Sequence, residues 1–201
     1  FLVYSHMKYL RNIVPIYMKE DFSGTGFFYK SLLITANHVV ADKLHSYFLF
    51  EGNLYNIDIN ECILLDTPGN IQSTSEKHDL FVCKTSLKCE GLNLISEYDK
   101  TQTCEYFGYS FNEDSKKLVV DSVKNIHITH DFSYNDFQTT KFRNCLTCQC
   151  VLRPGNSGGP IFQNDNVIGM LVSGYNEVAK CTFIKASYIL KLINLTNNSE
   201  Y

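Results

Sequence analysis

The residues best equipped for chemistry lie in Arg153-Pro154-Gly155-Asn156-Ser157-Gly158-Gly159-Pro160. Glycines on both sides of Ser157 leave its hydroxyl and the neighbouring amides unobstructed. Gly155 lets the chain turn so that the N–H groups of Gly155 and Ser157 point into one small volume, as two donors to a carbonyl oxygen becoming an oxyanion would. A serine hydroxyl attacks poorly until a base takes its proton, so this loop requires a histidine and a group to orient it.

Both stand upstream. The apolar run Leu32-Leu33-Ile34-Thr35 passes into the short turn Ala36-Asn37-His38, which puts an imidazole at a strand end. In His78-Asp79-Leu80-Phe81-Val82-Cys83-Lys84 an acid heads a second apolar strand, from which Asp79 can accept a hydrogen bond from His38 and fix its tautomer. Asp58 and Asp66 also lie between His38 and Ser157 and are the alternative acids. None of the other histidines (His6, His45, His78, His127, His130) has a setting comparable to that of His38. His78 is expected to face away from Asp79, because adjacent strand residues point to opposite sides.

In motif and in order, the chain resembles the chymotrypsin-like serine proteases. The resemblance rests on Thr35-Ala36-Asn37-His38, Asp79-Leu80 and Gly155 to Pro160, with Gly24-Thr25-Gly26-Phe27-Phe28 in support, and runs from Ile13 to the C-terminal helix. It implies an all-β fold of two antiparallel six-stranded β-barrels with a C-terminal α-helix. It also implies a catalytic triad of His38, Asp79 and Ser157 and an oxyanion hole from Gly155 and Ser157. Its substrate wall would comprise Leu152, Arg153 and Pro154, the strand Leu171-Val172-Ser173-Gly174, and Phe183. A peptide would lie extended along Val172 to Gly174, adding main-chain hydrogen bonds to an exposed edge. Val151 is expected at the pocket floor, so a carboxylate that would select Lys or Arg is missing. Leu152 and Leu171 replace the threonine and histidine with which viral main proteases recognise Gln or Glu. An uncharged, large or apolar residue before the cut is expected, and Tyr201 would agree if it were a self-processed end. The resemblance implies no cofactor.

The elements that must hold these residues read as short strands between turns. Ile13–Met18, Gly24–Tyr29, Leu32–Thr35, Ser46–Phe50, Leu54–Ile59, Cys62–Leu65 and Leu80–Lys84 are expected in the first barrel. Cys104–Tyr109, Lys117–Val120, Val123–Thr129, Lys141–Val151, Pro160–Gln163, Val167–Ser173 and Lys180–Ile184 are expected in the second. The domain plan is an N-terminal extension (1–12), the first barrel (13–84), a linker (85–103), the second barrel (104–185), and a helix and tail (186–201). Lys185–Leu195 reads as the amphipathic helix, with Ile189, Leu190, Ile193 and Leu195 on its buried side.

Composition narrows the class. The 201 residues, 44% of them hydrophobic, with net charge −3, suffice for one two-lobed domain. There is no apolar run approaching about 18 residues, so no membrane insertion is expected in this segment. The charge and the lack of a long basic run leave RNA binding unsupported; Lys116-Lys117 and the Lys141-Arg143 pair are candidate local patches that read rather as solvated charged faces. Eight cysteines lack the pairing positions of secreted relatives: Val39 follows the histidine and Ser23 stands upstream, which points to a reducing compartment. Cys145-x-x-Cys148-x-Cys150 has ligand-like spacing but reads as buried strand cysteines, so no metal is expected.

Asn156, where zymogen-activated enzymes carry an aspartate, resembles the high-temperature-requirement proteases and proteases of positive-strand RNA viruses such as nidoviruses and astroviruses. The expected function is a serine endopeptidase that processes a viral polyprotein, including its own boundaries, in the host cytoplasm. The alternatives are a cellular quality-control protease of the high-temperature-requirement type and an inactive or RNA-binding barrel. Oligomeric state is not legible.

Overall fold

The computed structural model describes residues 8–65, 79–132 and 144–198. His6, Asp66, His78, Lys141, Arg143 and Tyr201 lie outside them.

Seven strands build the first lobe: β1 (Ile13–Met18), β2 (Asp21–Tyr29), β3 (Leu32–Thr35), β4 (Ser46–Phe50), β5 (Asn53–Asn56), β6 (Cys62–Leu65) and β7 (Phe81–Lys84). They pair antiparallel in the order β5-β4-β1-β2-β3-β7-β6. Strand β4 shows why these residues form strands: Ser46, Phe48 and Phe50 are buried while Tyr47 and Leu49 between them are partly open, the period of two that a pleated ribbon imposes. The first barrel was expected to have six strands and to close. Instead it is a seven-stranded sheet, in which the short, mostly exposed β5 offers little apolar face for closure.

The second lobe is a closed six-stranded barrel in the order β10-β13-β12-β11-β8-β9. Its strands are β8 (Cys104–Asn112), β9 (Lys117–Phe132), β10 (Cys145–Gln149), β11 (Pro160–Gln163), β12 (Asn166–Tyr175) and β13 (Lys180–Lys185). The two strands expected at Lys117–Val120 and Val123–Thr129 are one 16-residue strand. Asp121-Ser122, which looks like a break in an apolar run, is paired throughout; the irregularity lies opposite, between Cys104 and Tyr106.

Helix α1 (Ala186–Asn198) closes the chain with Ile189 and Ile193, one turn apart, both buried. Each contributes about 1.5–3 kcal/mol by burial. Leu195, expected on the same face, is 56% exposed, since it falls on the other side of the helix.

The segment between the lobes is bound to both of them. Leu92 N–H donates to Phe28 O at 2.7 Å, and Leu94 forms a parallel bridge with Val167. Tyr9 packs on Phe107 and Phe162 with ring centroids 5.4 and 4.4 Å away, and Asn12 O accepts from Phe28 N–H. One apolar core therefore runs from the first sheet through the interface to α1, and a second fills the barrel around Tyr106, Leu146 and Phe183. The nucleophile loop, between β10 and β11, lies where the lobes meet.

Candidate active site

His38 sits in a one-turn 3-10 helix, Asn37–Val40, directly after β3. Strand β7 runs beside β3, with Thr35 opposite Phe81, so Asp79 just before β7 meets the turn just after β3. Asp79 grips that turn at three points. Its carbonyl accepts from Asn37 N–H at 3.1 Å, its Oδ1 from His38 N–H at 2.8 Å, and its Oδ2 forms a short hydrogen bond with His38 Nδ1. The imidazole is thus fixed through the ring nitrogen next to its own backbone, which leaves Nε2 for the cleft. The Asp79 hydrogen bond raises the His38 pKa above its ordinary 6.5, against an opposing push from burial. Lys43 braces the turn by donating to Asn37 Oδ1 and Val40 O.

Asp58, an alternative acid, caps the short helix Ile59–Glu61 by accepting from Asn60 N–H at 2.9 Å. His45 pairs with Asp42. Among the described carboxylates it is therefore Asp79 that meets His38.

Ser157 approaches the first lobe from the second, its carbonyl accepting from Thr25 N–H at 2.9 Å. A Cβ on Gly24 would lie within 3.0 Å of both Ser157 O and the Val39 methyls, so Gly24 is the spacer between the nucleophile loop and the residue next to His38. Gly155 and Gly158 have φ of +95° and +91°, a region glycine enters at little cost. A Cβ on Gly158 would strike Thr25 O at 1.9 Å. The loop's carbonyls and amides are held by Arg153 O from Asn156 N–H (3.1 Å), Asn156 O from Gly159 N–H (3.0 Å) and Leu171 O from Gly158 N–H (2.8 Å). The N–H groups of Gly155 and Ser157 have no hydrogen-bond acceptor among the described residues.

Beneath the loop lies a polar knot the sequence reading missed. The Asn156 side chain is fully buried; Oδ1 accepts from Arg153 N–H at 2.7 Å, while Nδ2 donates to Tyr109 O at 2.8 Å and Asp121 Oδ2 at 3.0 Å. The other Asp121 oxygen pairs closely with the Arg153 guanidinium. Asn156 thus takes its partners from within the second lobe. The only signal for Asp121 was a lone acid in the run Leu118-Val119-Val120-Asp121-Ser122-Val123. Thr25, at the centre of a glycine-flanked motif, was visible but had no role assigned to it.

The expected substrate wall divides in two. Leu152, Leu171 and Phe183 are buried with Cys150 and Cys181 in the barrel core, whereas Pro154, Ser173 and Gly174 are exposed and Val172 half-buried. Arg153 is exposed but committed to Asp121. Val151, expected at the pocket floor, is 53% exposed; the chain turns its side chain outward and Leu152 inward. Strand β11 pairs with β12 only as far as Met170, so Val172 to Tyr175 keep one edge open while Ser173 and Gly174 pair with β13 on the other. Cys145, Cys148 and Cys150 are buried, with Cys148 directly opposite Cys181. Burial pushes the Cys145 thiol up to about 12 and raises that of Cys148, while Cys150 is raised by its hydrogen bond with Cys181 and then by burial. Lys116 and Lys117 lie at the exposed β8–β9 turn.

Residues 24–170 match the family model described as a trypsin-like peptidase domain. No curated protein matches the chain. Its fold is similar to that of neuropsin, a serine protease expressed in mouse brain, at 14% identity and a TM-score of 0.69, covering 94% of this chain and 95% of that one. It is similar also to the active form of the Rv3671c protease from M. tuberculosis, at 14% identity and a TM-score of 0.64, covering 94% and 82%. A third likeness is to the HtrA-type protease AlgW bound to a tripeptide, at 16% identity and a TM-score of 0.69, covering 96% of this chain and 62% of that one.

Proposed function

The chain belongs to the trypsin-like peptidase family and is a chymotrypsin-fold serine peptidase, and from that premise we propose that His38, Asp79 and Ser157 cleave peptide bonds by acyl transfer. The observation that carries this reading is the double grip of Asp79 on His38, at main chain and ring. His38 Nε2 takes the Ser157 proton as Oγ attacks the scissile carbonyl, and Asp79 stabilises the imidazolium. The N–H groups of Gly155 and Ser157 receive the oxyanion. His38 then returns the proton to the leaving amine, and water repeats the cycle to release the acyl group. These residues need no metal or cofactor.

The substrate is a polypeptide whose acyl side adds to the open edge at Val172, Ser173 and Gly174, with exposed Pro154 the accessible part of the expected wall, Arg153 held by Asp121, and Leu152, Leu171 and Phe183 buried behind it. Val151, standing where an acid would select Lys or Arg, supports an uncharged preference before the cut. The physiological substrate under this proposal is a viral polyprotein, cut at this domain's own boundaries in the host cytoplasm. Eight free cysteines, most of them buried, support a reducing compartment. The likeness in fold to the HtrA-type protease AlgW supports a second reading, a cellular quality-control protease of the high-temperature-requirement type.

The test is fluorophosphonate labelling and peptide turnover, both of which Ser157→Ala abolishes while the far-ultraviolet dichroism stays unchanged. Turnover surviving in that variant defeats the mechanism. Discrete cuts in a translated flanking polyprotein, with casein left intact, support the viral substrate; the reverse pattern supports the quality-control reading.

A further inference from the structure

We propose that Thr25 is a positioning residue that holds Gly155 and Ser157 so that their N–H groups face the substrate carbonyl, an inference that rests on the reading of Ser157 as nucleophile. Thr25 belongs to the first lobe, on β2, and both oxyanion residues to the second. Its side chain and its main chain each reach one of them. The Thr25 N–H donates to Ser157 O at 2.9 Å, and the Thr25 hydroxyl donates to Gly155 O at 2.9 Å.

The hydroxyl is itself aimed. Tyr109 N–H donates to Thr25 Oγ1 at 2.9 Å, so one lone pair is taken and the single proton is left for an acceptor, the Tyr106 oxygen or one of two carbonyls. Of the two within reach, Gly155 O at 2.9 Å is well placed and Tyr109 O at 3.4 Å is at the limit. The Thr25 carbonyl in turn accepts from Thr35 Oγ1 at 2.6 Å, on the strand that leads to His38. Thr25 is fully buried, and its branched Cβ restricts χ1, so the hydroxyl has little freedom to turn elsewhere.

The leverage comes from the glycine. Gly155 at φ +95° lacks a Cβ to limit its torsions, and the direction of its amide depends on external contacts. The peptide that follows it is pinned at both ends, its N–H to Arg153 O and its C=O to the Thr25 hydroxyl. The next peptide, which carries the Ser157 N–H, is held by its carbonyl, Asn156 O, through Gly159 N–H and the Tyr106 hydroxyl. Ser157 O then returns to Thr25 N–H. Removing the hydroxyl frees the one link in this chain that a side chain supplies to Gly155.

Thr25→Val keeps the shape and deletes the bond; Thr25→Ser keeps the bond. We expect kcat to fall about 10- to 100-fold in Thr25→Val with KM changed less than about threefold, and Thr25→Ser to stay within about threefold of the parent. Affinity for a peptide aldehyde, which forms a tetrahedral adduct on the serine, falls in proportion to kcat/KM. Parent kcat in folded Thr25→Val, or a Thr25→Ser variant as impaired as Thr25→Val, overturns the proposal. If valine is not tolerated in the fold, Thr25→Ala, which leaves space instead of filling it, is read in the same way. Fluorophosphonate labelling of the parent, lost in Ser157→Ala, tests the nucleophile separately, so a null result at Thr25 leaves that reading standing.

Discussion

The side-chain amide of Asn156 donates to the buried carboxylate of Asp121 across 3.0 Å, directly beneath the nucleophile loop. Relatives with an aspartate before the serine place a negative charge here; this chain places a donor, because the charge is already on Asp121 and is matched by Arg153.

Asn156→Asp therefore sets two carboxylates against each other in a buried site and leaves Tyr109 O without its donor. The expected cost is about 2–4 kcal/mol, a fall of roughly 5–10 °C in Tm, with a parallel loss of turnover. Asp121→Asn in the same chain should recover much of the stability by restoring a donor and acceptor pair. A thermal-melt double-mutant cycle measures the coupling; additive losses would show that the two side chains do not communicate.

Asp79→Asn should leave the fold intact and lower kcat by about four orders of magnitude, because an amide cannot hold the same tautomer of His38. Asp58→Asn should cost at most about 1 kcal/mol of stability as a weakened cap and leave kcat unchanged. Steady-state kinetics on both variants decide between the acids; a large loss in Asp58→Asn alone would reassign the role.

The pairing of His38 with Asp79 and the turn at Gly155 were legible because they depend on local sequence. A glycine at positive φ before the serine, a histidine after an apolar strand and an acid heading another strand each leave a mark within a few residues. Most strand limits were readable for the same reason: Ile13–Met18, Leu32–Thr35 and Pro160–Gln163 are mostly apolar runs bounded by turns. Asp121, Tyr106 and Tyr109 were not legible, since their roles come from pairings to a loop some 30 to 50 positions away. Closure of the first sheet was overestimated because repeated short strands signal a barrel without specifying whether the edge strands have apolar faces.

The pH dependence of kcat/KM follows from the His38 hydrogen bond. His38 must be neutral to act as base, and Asp79 raises its pKa, so the acidic limb should have its midpoint above 6.5. In Asp79→Asn the residual activity should show that limb displaced to lower pH. For stability the same raised pKa runs the opposite way with pH: the contribution is complete below the pKa of the unfolded histidine and is lost as pH rises through the folded value. A pH–rate profile with its acidic midpoint below 6.5 in the parent would contradict the pairing.

The cysteines should react in an order set by burial and by one neighbour. Cys62 and Cys83 face each other across β6 and β7, and both thiols lie near Asp58 O, at 3.7 and 3.6 Å. The hydrogen bond from Cys83 lowers the Cys62 pKa, with Lys43 adding to the effect, and the same contact raises that of Cys83. Cys62 is half-buried, whereas burial pushes Cys104 to about 11 and Cys145 to about 12. Because thiolate is the reacting form, iodoacetamide at mildly alkaline pH should modify Cys62 first and Cys104 and Cys145 only on unfolding. Peptide mapping against time gives the order, and Cys83→Ser should slow Cys62 by restoring its ordinary pKa. Early modification of Cys145 in the folded protein would mean that the barrel core opens on the time scale of the reaction.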